Sequence, residues 1–203
     1  AVDGSIALVT NGNGAATVVN DAGLNFAAST VRGALTATAT TGDITDSGTL
    51  TITGTTTLVT SANDATITLN DADNAFTGAL TITTNDNSGT DAAVIIDGGT
   101  TALIIAASTI DGDLTLTSGA TAGITDSGTV TVGGDLAATT DAGNGVIDMD
   151  QLAVDGTIAL TTNGNGAATV ENDAGLNFAA STVRGALSAT ATTGDITDSG
   201  NLV

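Results

Sequence analysis

Aspartate is the residue with the most chemistry to offer in this chain, and it comes at intervals. Asp21, Asp46, Asp71, Asp97, Asp126, Asp150, Asp173 and Asp198 follow one another at spacings of 23 to 29 residues. If each falls at the same corner of a repeating coil, successive carboxylates lie within roughly 5 Å of one another. Clustered hard oxygens of that kind are what a divalent cation such as Ca2+ selects. The same side chain also caps turns by accepting a backbone N–H. Repulsion between neighbouring carboxylates in water at that spacing is below about 1 kcal/mol per pair. Five aliphatic side chains per coil contribute on the order of 10 kcal/mol. Such a stack therefore needs no cation, turn capping is the favoured reading, and the eight aspartates stand as weak metal candidates. The calcium-binding nonapeptide GGxGxDxUx is absent, and no cofactor is expected.

Threonine offers a second chemistry. T-x-T strings occur at Thr36/Thr38/Thr40, Thr49/Thr51/Thr53, Thr66/Thr68, Thr81/Thr83, Thr115/Thr117 and Thr129/Thr131. Ranks of hydroxyls and methyls on a flat β-face can order water and bind ice. Threonine is equally a good outward-facing strand residue, and these pairs are expected to fall on different strands. Catalysis has the least support. Asp71/Asp73, Asp111/Asp113 and Asp148/Asp150 are acid pairs, but the chain has no His, Lys, Cys, Tyr or Trp to serve as base, charge clamp or sugar platform. We expect no enzyme. Arg32 and Arg184, the only cations, are expected to bridge to an aspartate one coil away more often than to a neighbouring molecule.

The elements that would position these residues follow from a repeat. Residues 1–51 recur at 153–203, with changes only at Ser5/Thr157, Val9/Thr161, Val19/Glu171, Thr36/Ser188, Thr49/Asn201 and Thr51/Val203. The period is 152 residues, so 1–152 is one full period and 153–203 begins the next. Repeats of this kind have no core of their own and become stable by stacking. Chain ends that fall in mid-period suggest a piece of something longer.

Glycine marks a finer unit. Gly4, Gly33, Gly54, Gly78, Gly112, Gly134, Gly156 and Gly185 each open an alternating segment, such as Ile6/Leu8, Leu35/Ala37, Leu80/Ile82, Leu114/Leu116 and Ile158/Leu160. Alternation with a period of two is the strand signature. Further strand candidates flank each segment: Leu50/Ile52, Val130/Val132 and Leu152/Val154 before the glycine, and Ile44, Ile67, Val94/Ile96, Ile124 and Ile147/Met149 after it. The expected fold is all-β: a right-handed parallel β-helix (β-solenoid) with three short strands per rung and about eight rungs, filling residues 1–203 as a single segment. Six glycine intervals make one period, so the period is expected to be six rungs. The five strand differences between the copies, at Ser5, Val9, Thr36, Thr49 and Thr51, fall on the outward parity. Val19/Glu171 must also face water, which calls for a bulge or altered register in the third strand. Leu24–Val31 with Gly33 and Leu103–Ile110 with Gly112 are matching expansions, each leading to the string ITDSG, so the period reads as a doubled three-rung unit.

Composition agrees. The chain has no Pro, and a continuous sheet needs almost every N–H as a donor. A net charge of −20 repels nucleic acid and anionic membranes. The longest wholly apolar run, 102–107, is too short to span a bilayer. The absence of Cys excludes a disulfide scaffold.

Three stretches, GDITDSGTLTITGTTTLVT, ITLNDADNAFTGALTITT and STIDGDLTLTSGATAGITDSG, carry a resemblance over essentially the whole chain. It resembles the repeat region of filamentous-haemagglutinin-like giant exoproteins and adhesins of Gram-negative bacteria. The resemblance implies a rigid stalk or filament, secreted or attached to the cell surface. The expected partners, from the repeat itself, are further copies of it in a longer chain, with lateral self-association of filaments as a second contact; the charge and the short apolar runs lead us to expect no nucleic acid and no membrane insertion. The resemblance carries over no functional residue. The competing reading is a binding module for divalent ions along the aspartates or for ice along the T-x-T pairs.

Overall fold

The computed structural model describes residues 1–87 and 92–203. Every alternating segment forms a strand, all pairing is parallel, and there is no helix among the described residues. The chain winds as a β-solenoid of about nine turns. One side is a ten-stranded sheet built, in chain order, from Ser5–Ile6, Leu24–Phe26, Ile44–Asp46, Ile67–Leu69, Val94–Asp97, Leu114–Ser118, Leu136–Gly143, Ile158–Asn163, Leu176–Phe178 and Ile196–Asp198. The other main side is an eleven-stranded sheet that includes Ala16–Asn20, Leu35–Ala39, Thr56–Asn63 and Leu80–Asn85, and three short strands form a third sheet. Between the sheets runs one continuous aliphatic cluster from Leu24 to Phe178, with Leu35, Leu80 and Leu160 at most 1% exposed. Each such side chain removed from water contributes about 1.5–3 kcal/mol.

The period differs from the six rungs expected. Ser5–Ile6 is the first strand of the ten-stranded sheet, and Ile158–Asn163, which contains the copy of Ile6, is the eighth. One period is therefore seven turns. The glycine spacing misleads because successive glycines do not all open strands on the same side. Gly33, Gly54 and Gly78 lead into the eleven-stranded sheet, while Gly112, Gly134 and Gly156 lead into the ten-stranded one. The two long intervals, Gly4 to Gly33 and Gly78 to Gly112, thus cover a turn and a half each. Half a period is three and a half turns, and its second copy emerges on the other side of the coil. Leu24–Phe26 belongs to the ten-stranded sheet, but the matching Leu103–Ile105 belongs to the eleven-stranded one.

None of the six positions that differ between copies is buried in either copy; Val9 is 78% exposed and Val19 66%. The bulge expected at Val19 is not there, because Ala16–Asn20 pairs residue for residue with Leu35–Ala39. Val18 is inward and Val19 outward by plain alternation. At the other copy the expected irregularity is present: the register shifts between Met149 and Leu152, opposite Glu171, and further shifts fall between Thr83 and Asn85 and between Thr139 and Gly143.

Two devices turn the corners. Glycines stack: Gly33 N–H donates to Gly14 O at 2.9 Å, and Gly134 N–H donates to Gly112 O at 3.1 Å. The expanded segments bend at Ala-Ala-Ser, where a buried serine hydroxyl takes the place of a ladder carbonyl. Ser29 Oγ accepts from Leu8 N–H and donates to Ala27 O; Ser108 does the same between Ile82 and Ala106, and Ser181 between Leu160 and Ala179. The half-period repeat is thus a repeat of contacts as well as of letters.

Candidate functional site

The eight candidate aspartates do not form one column. Asp46, Asp71, Asp97 and Asp198 lie at or just beyond strands of the ten-stranded sheet, whereas Asp21, Asp126, Asp150 and Asp173 lie along the eleven-stranded one. The cause is the half turn gained every half period. Two of the eight cap their own turns: Asp71 Oδ1 accepts from Asp73 N–H at 2.9 Å, and Asp97 Oδ1 from Gly99 N–H at 2.8 Å. Two others clamp the next rung. Asp46 accepts from Asn70 and Asp71 N–H, both at 3.3 Å, and from Asn74 Nδ2 at 2.6 Å. Asp126 accepts from Gln151 N–H at 2.9 Å and Asp150 N–H at 3.4 Å. Asp21 pairs with the N-terminal amine at 3.3 Å, and Asp150, Asp173 and Asp198 are exposed. No three acidic side chains converge as a metal-holding group among the described residues.

Sequence reasoning missed the clearest clamps. Asp43 Oδ1 accepts from Thr66 N–H at 2.7 Å, Asp113 Oδ1 from Asp135 N–H at 2.8 Å, and Asp135 Oδ1 from Thr157 N–H at 2.6 Å. Each lies just before a strand, 22 or 23 residues ahead of its partner. That spacing is the signal that could have found them. Burial raises the Asp97 carboxyl above its ordinary value; the Gly99 N–H opposes this, and the charges of Asp141, Asp71 and Asp46 add to it. Asp126 is likewise raised by burial, against the pull of the Gln151 and Asp150 N–H groups and with the charges of Asp150 and Asp148.

Members of the acid pairs accept backbone hydrogen bonds. Asp71 and Asp73 share a turn, Asp111 Oδ2 accepts from Asp86 N–H in the rung below, and Asp113 points its oxygen at the rung above. Arg32 and Arg184 make no ion pair among the described residues, so the expected bridge to a neighbouring rung is not formed.

Threonine stacks more regularly than expected. On the eleven-stranded sheet Thr17, Thr36, Thr57 and Thr81 form one outward column, and Val19, Thr38, Val59, Thr83, Thr109 and Thr131 form the next. Thr36/Thr38 and Thr81/Thr83 thus share a face, whereas Thr115/Thr117 lies on the ten-stranded sheet.

A shallow groove occurs twice, one period apart. The first, about 510 Å³, is lined by Asp3, Ser5, Asn25, Asp43 and Thr45 among others, and the second, about 380 Å³, by Asp155, Thr157, Asn177, Asp195 and Thr197. Both are polar furrows at a corner where small residues of three rungs meet.

This geometry defines a repeat β-solenoid, whose working parts are its stacking contacts. The chain belongs to the family described as Repeats of unknown function (DUF5649), whose model matches residues 3–83 and 165–203, more than half of the chain. Searches of curated proteins and of solved structures found no match.

Proposed function

We propose that this β-solenoid is a structural segment: part of a rigid extracellular stalk or filament of a large bacterial surface exoprotein, lengthened by adding periods. One observation carries the reading. The copy of Ser5–Ile6, within Ile158–Asn163, returns to the same ten-stranded sheet seven turns on. A sequence that brings its copy back to the same side of the coil after a whole number of turns can be lengthened period by period. Its mechanical role follows from parallel ladders, a thin aliphatic interior, and an anionic skin that keeps fibres apart in solution. The partners of this reading are further copies of the repeat, and its site of action is outside the cell. Chains carrying one, two and three periods test it. Electron microscopy should show straight rods that lengthen by about 34 Å per period, seven turns of about 4.8 Å. Flexible beads, or no gain in length, would remove the proposal.

The threonine register favours a second reading. Its columns repeat at about 4.8 Å between rungs and about 6.6 Å along a strand, without a charge among the ten side chains. That is the form of a lattice-matching, ice-binding face. Thermal hysteresis would support it, and it should fall when Thr57 and Thr81 become lysine. A freezing point depressed only colligatively would reject it. The divalent-ion reading has no comparable support.

A further inference from the structure

The anionic skin is not uniform. On the outer face of the eleven-stranded sheet, the strands Leu35–Ala39, Thr56–Asn63 and Leu80–Asn85 come from stretches 22–42, 47–63 and 74–85, which hold no Asp or Glu. Thr36, Thr57 and Thr81 form one outward column there, and Thr38, Val59 and Thr83 the next. Arg32 stands at the start of this stretch. It is exposed, lies three residues ahead of Leu35, and makes no ion pair among the described residues.

Farther along the same sheet the character reverses. Thr109 and Thr131 continue the second column, but Asp148 stacks over Thr125 and Ile104 on the flank where the strands begin. Asp150, Glu171 and Asp173 follow. These four carboxylates are exposed and make no ion pair among the described residues. Asp86 and Asp111 lie at the opposite flank, half-buried where the strands end. One face of the coil is thus free of acid over three strands, with a lone guanidinium at its margin, and acidic over the strands beyond.

We infer that this face is the contact surface for a second copy of the chain, set antiparallel, with Arg32 of each coil against Asp148 of the other. Charge decides the direction. A parallel pair would lay Asp148 and Asp150 over their own copies, and like charges placed opposite one another suppress association. Reversal lays the threonine stretch of each coil over the acidic stretch of its partner. Position agrees. Five steps separate Leu35–Ala39 from Ile147–Val154, through Thr56–Asn63, Leu80–Asn85, Leu103–Ile105 and Ile124–Asp126. A two-fold axis along the strands, midway between Leu80–Asn85 and Leu103–Ile105, exchanges the two ends and keeps the flank of Arg32 with the flank of Asp148. The contact is isologous, so the Arg32 to Asp148 pairing is made twice. The face is about 24 Å tall and roughly 16 Å wide, or about 400 Å² per partner. A stable complex covers about 800 Å² per partner, so this pair belongs to the weak, reversible class.

The 203-residue chain can be tested as it stands. Sedimentation equilibrium in about 0.15 M salt, which screens distant charges, should show a monomer–dimer equilibrium between about 10 µM and about 1 mM, the span of weak associations. Arg32→Asp should weaken the dimer at least about tenfold, because symmetry opposes like charges at both ends of the contact. Asp148→Arg should weaken it likewise. The double variant, with the charges exchanged, should recover the wild-type constant to within about threefold. Arg184→Asp is the control: Arg184 precedes Leu187–Ala191, two steps past Ile147–Val154, and its loss should leave the dimer unchanged. Urea midpoints equal to wild type confirm that each variant is folded, since all three side chains are exposed. A chain that stays monomeric throughout, a dimer indifferent to Arg32→Asp, or a double variant no better than the single ones would overturn the inference. The stalk reading is tested separately, by the length of single rods, and does not fall with this one.

Discussion

Gly33 lies directly beneath Gly54, whose N–H donates to the Gly33 carbonyl at 3.0 Å. A Cβ added at Gly54 would sit 2.5 Å from the Gly33 carbonyl carbon, and the same crowding recurs between Gly54 and Gly78. Backbone that close cannot yield as a flexible side chain would. Gly54→Ala should therefore destabilise by about 1–3 kcal/mol, the usual cost of overpacking. Gly143→Ala, where nothing lies within 4 Å, should change stability by less than about 1 kcal/mol. Urea denaturation of the two variants measures the contrast, and equal midpoints would count against a stacked glycine corner.

The copies also separate burial from sequence. Ile44→Ala empties a sealed site and should cost about 2–5 kcal/mol. Ile196→Ala, in the same ITDSG string, is 51% exposed before the change and should cost less than about 1.5 kcal/mol. Both are read from chemical denaturation curves. The prediction fails if the two substitutions cost the same.

Ser108 is 6% exposed and takes the Ile82 N–H, which has no ladder carbonyl at the Ala-Ala-Ser bend. Ser108→Ala leaves that donor unpaired, at about 1–3 kcal/mol. Hydrogen exchange adds a local readout, because the Ile82 amide should lose protection ahead of its neighbours in the same strand. Unchanged protection there would show that the hydroxyl is dispensable.

The acidic shell predicts an unusual response to pH. Asp97 and Asp126 have carboxyls raised by burial, so the folded chain takes up their protons more readily than the unfolded chain does. Their favourable contribution is complete below the unfolded aspartate value and is lost as pH rises through the higher folded values. Acidifying from neutrality to about pH 5 should thus raise Tm. Asp97→Asn and Asp126→Asn should flatten that rise, since an amide oxygen can keep the N–H bonds from Gly99 and Gln151. A Tm that falls steadily with acidification, in wild type and variants alike, would contradict the assignment.

Much of this arrangement was legible in the residues themselves. Which side chains face inward could be read from six differences between two copies, because a substitution is tolerated cheaply only where water replaces what is lost. The strands were legible too, since Leu35/Ala37 and Leu114/Leu116 keep a period of two that no helix shares. The number of turns was not. Gly78 and Gly112 look alike as letters, and only strand pairing reveals that they open opposite sides of the coil. The aspartates were misplaced for the same reason, Asp46 and Asp126 being equivalent residues half a turn out of phase. Clamps such as Asp43 to Thr66 depend on which residue sits one rung up, and that follows from turn lengths that vary between 20 and 27 residues along the ten-stranded sheet.

The odd half turn has a consequence for anything that grips such a coil. A furrow formed once per half period would face alternately left and right, each row repeating at about 34 Å and staggered against the other by about 17 Å. Whole periods preserve the heading of whatever lies beyond them, and an extra half period reverses it. Unit count would then set which way a distal domain points, as well as how far out it stands.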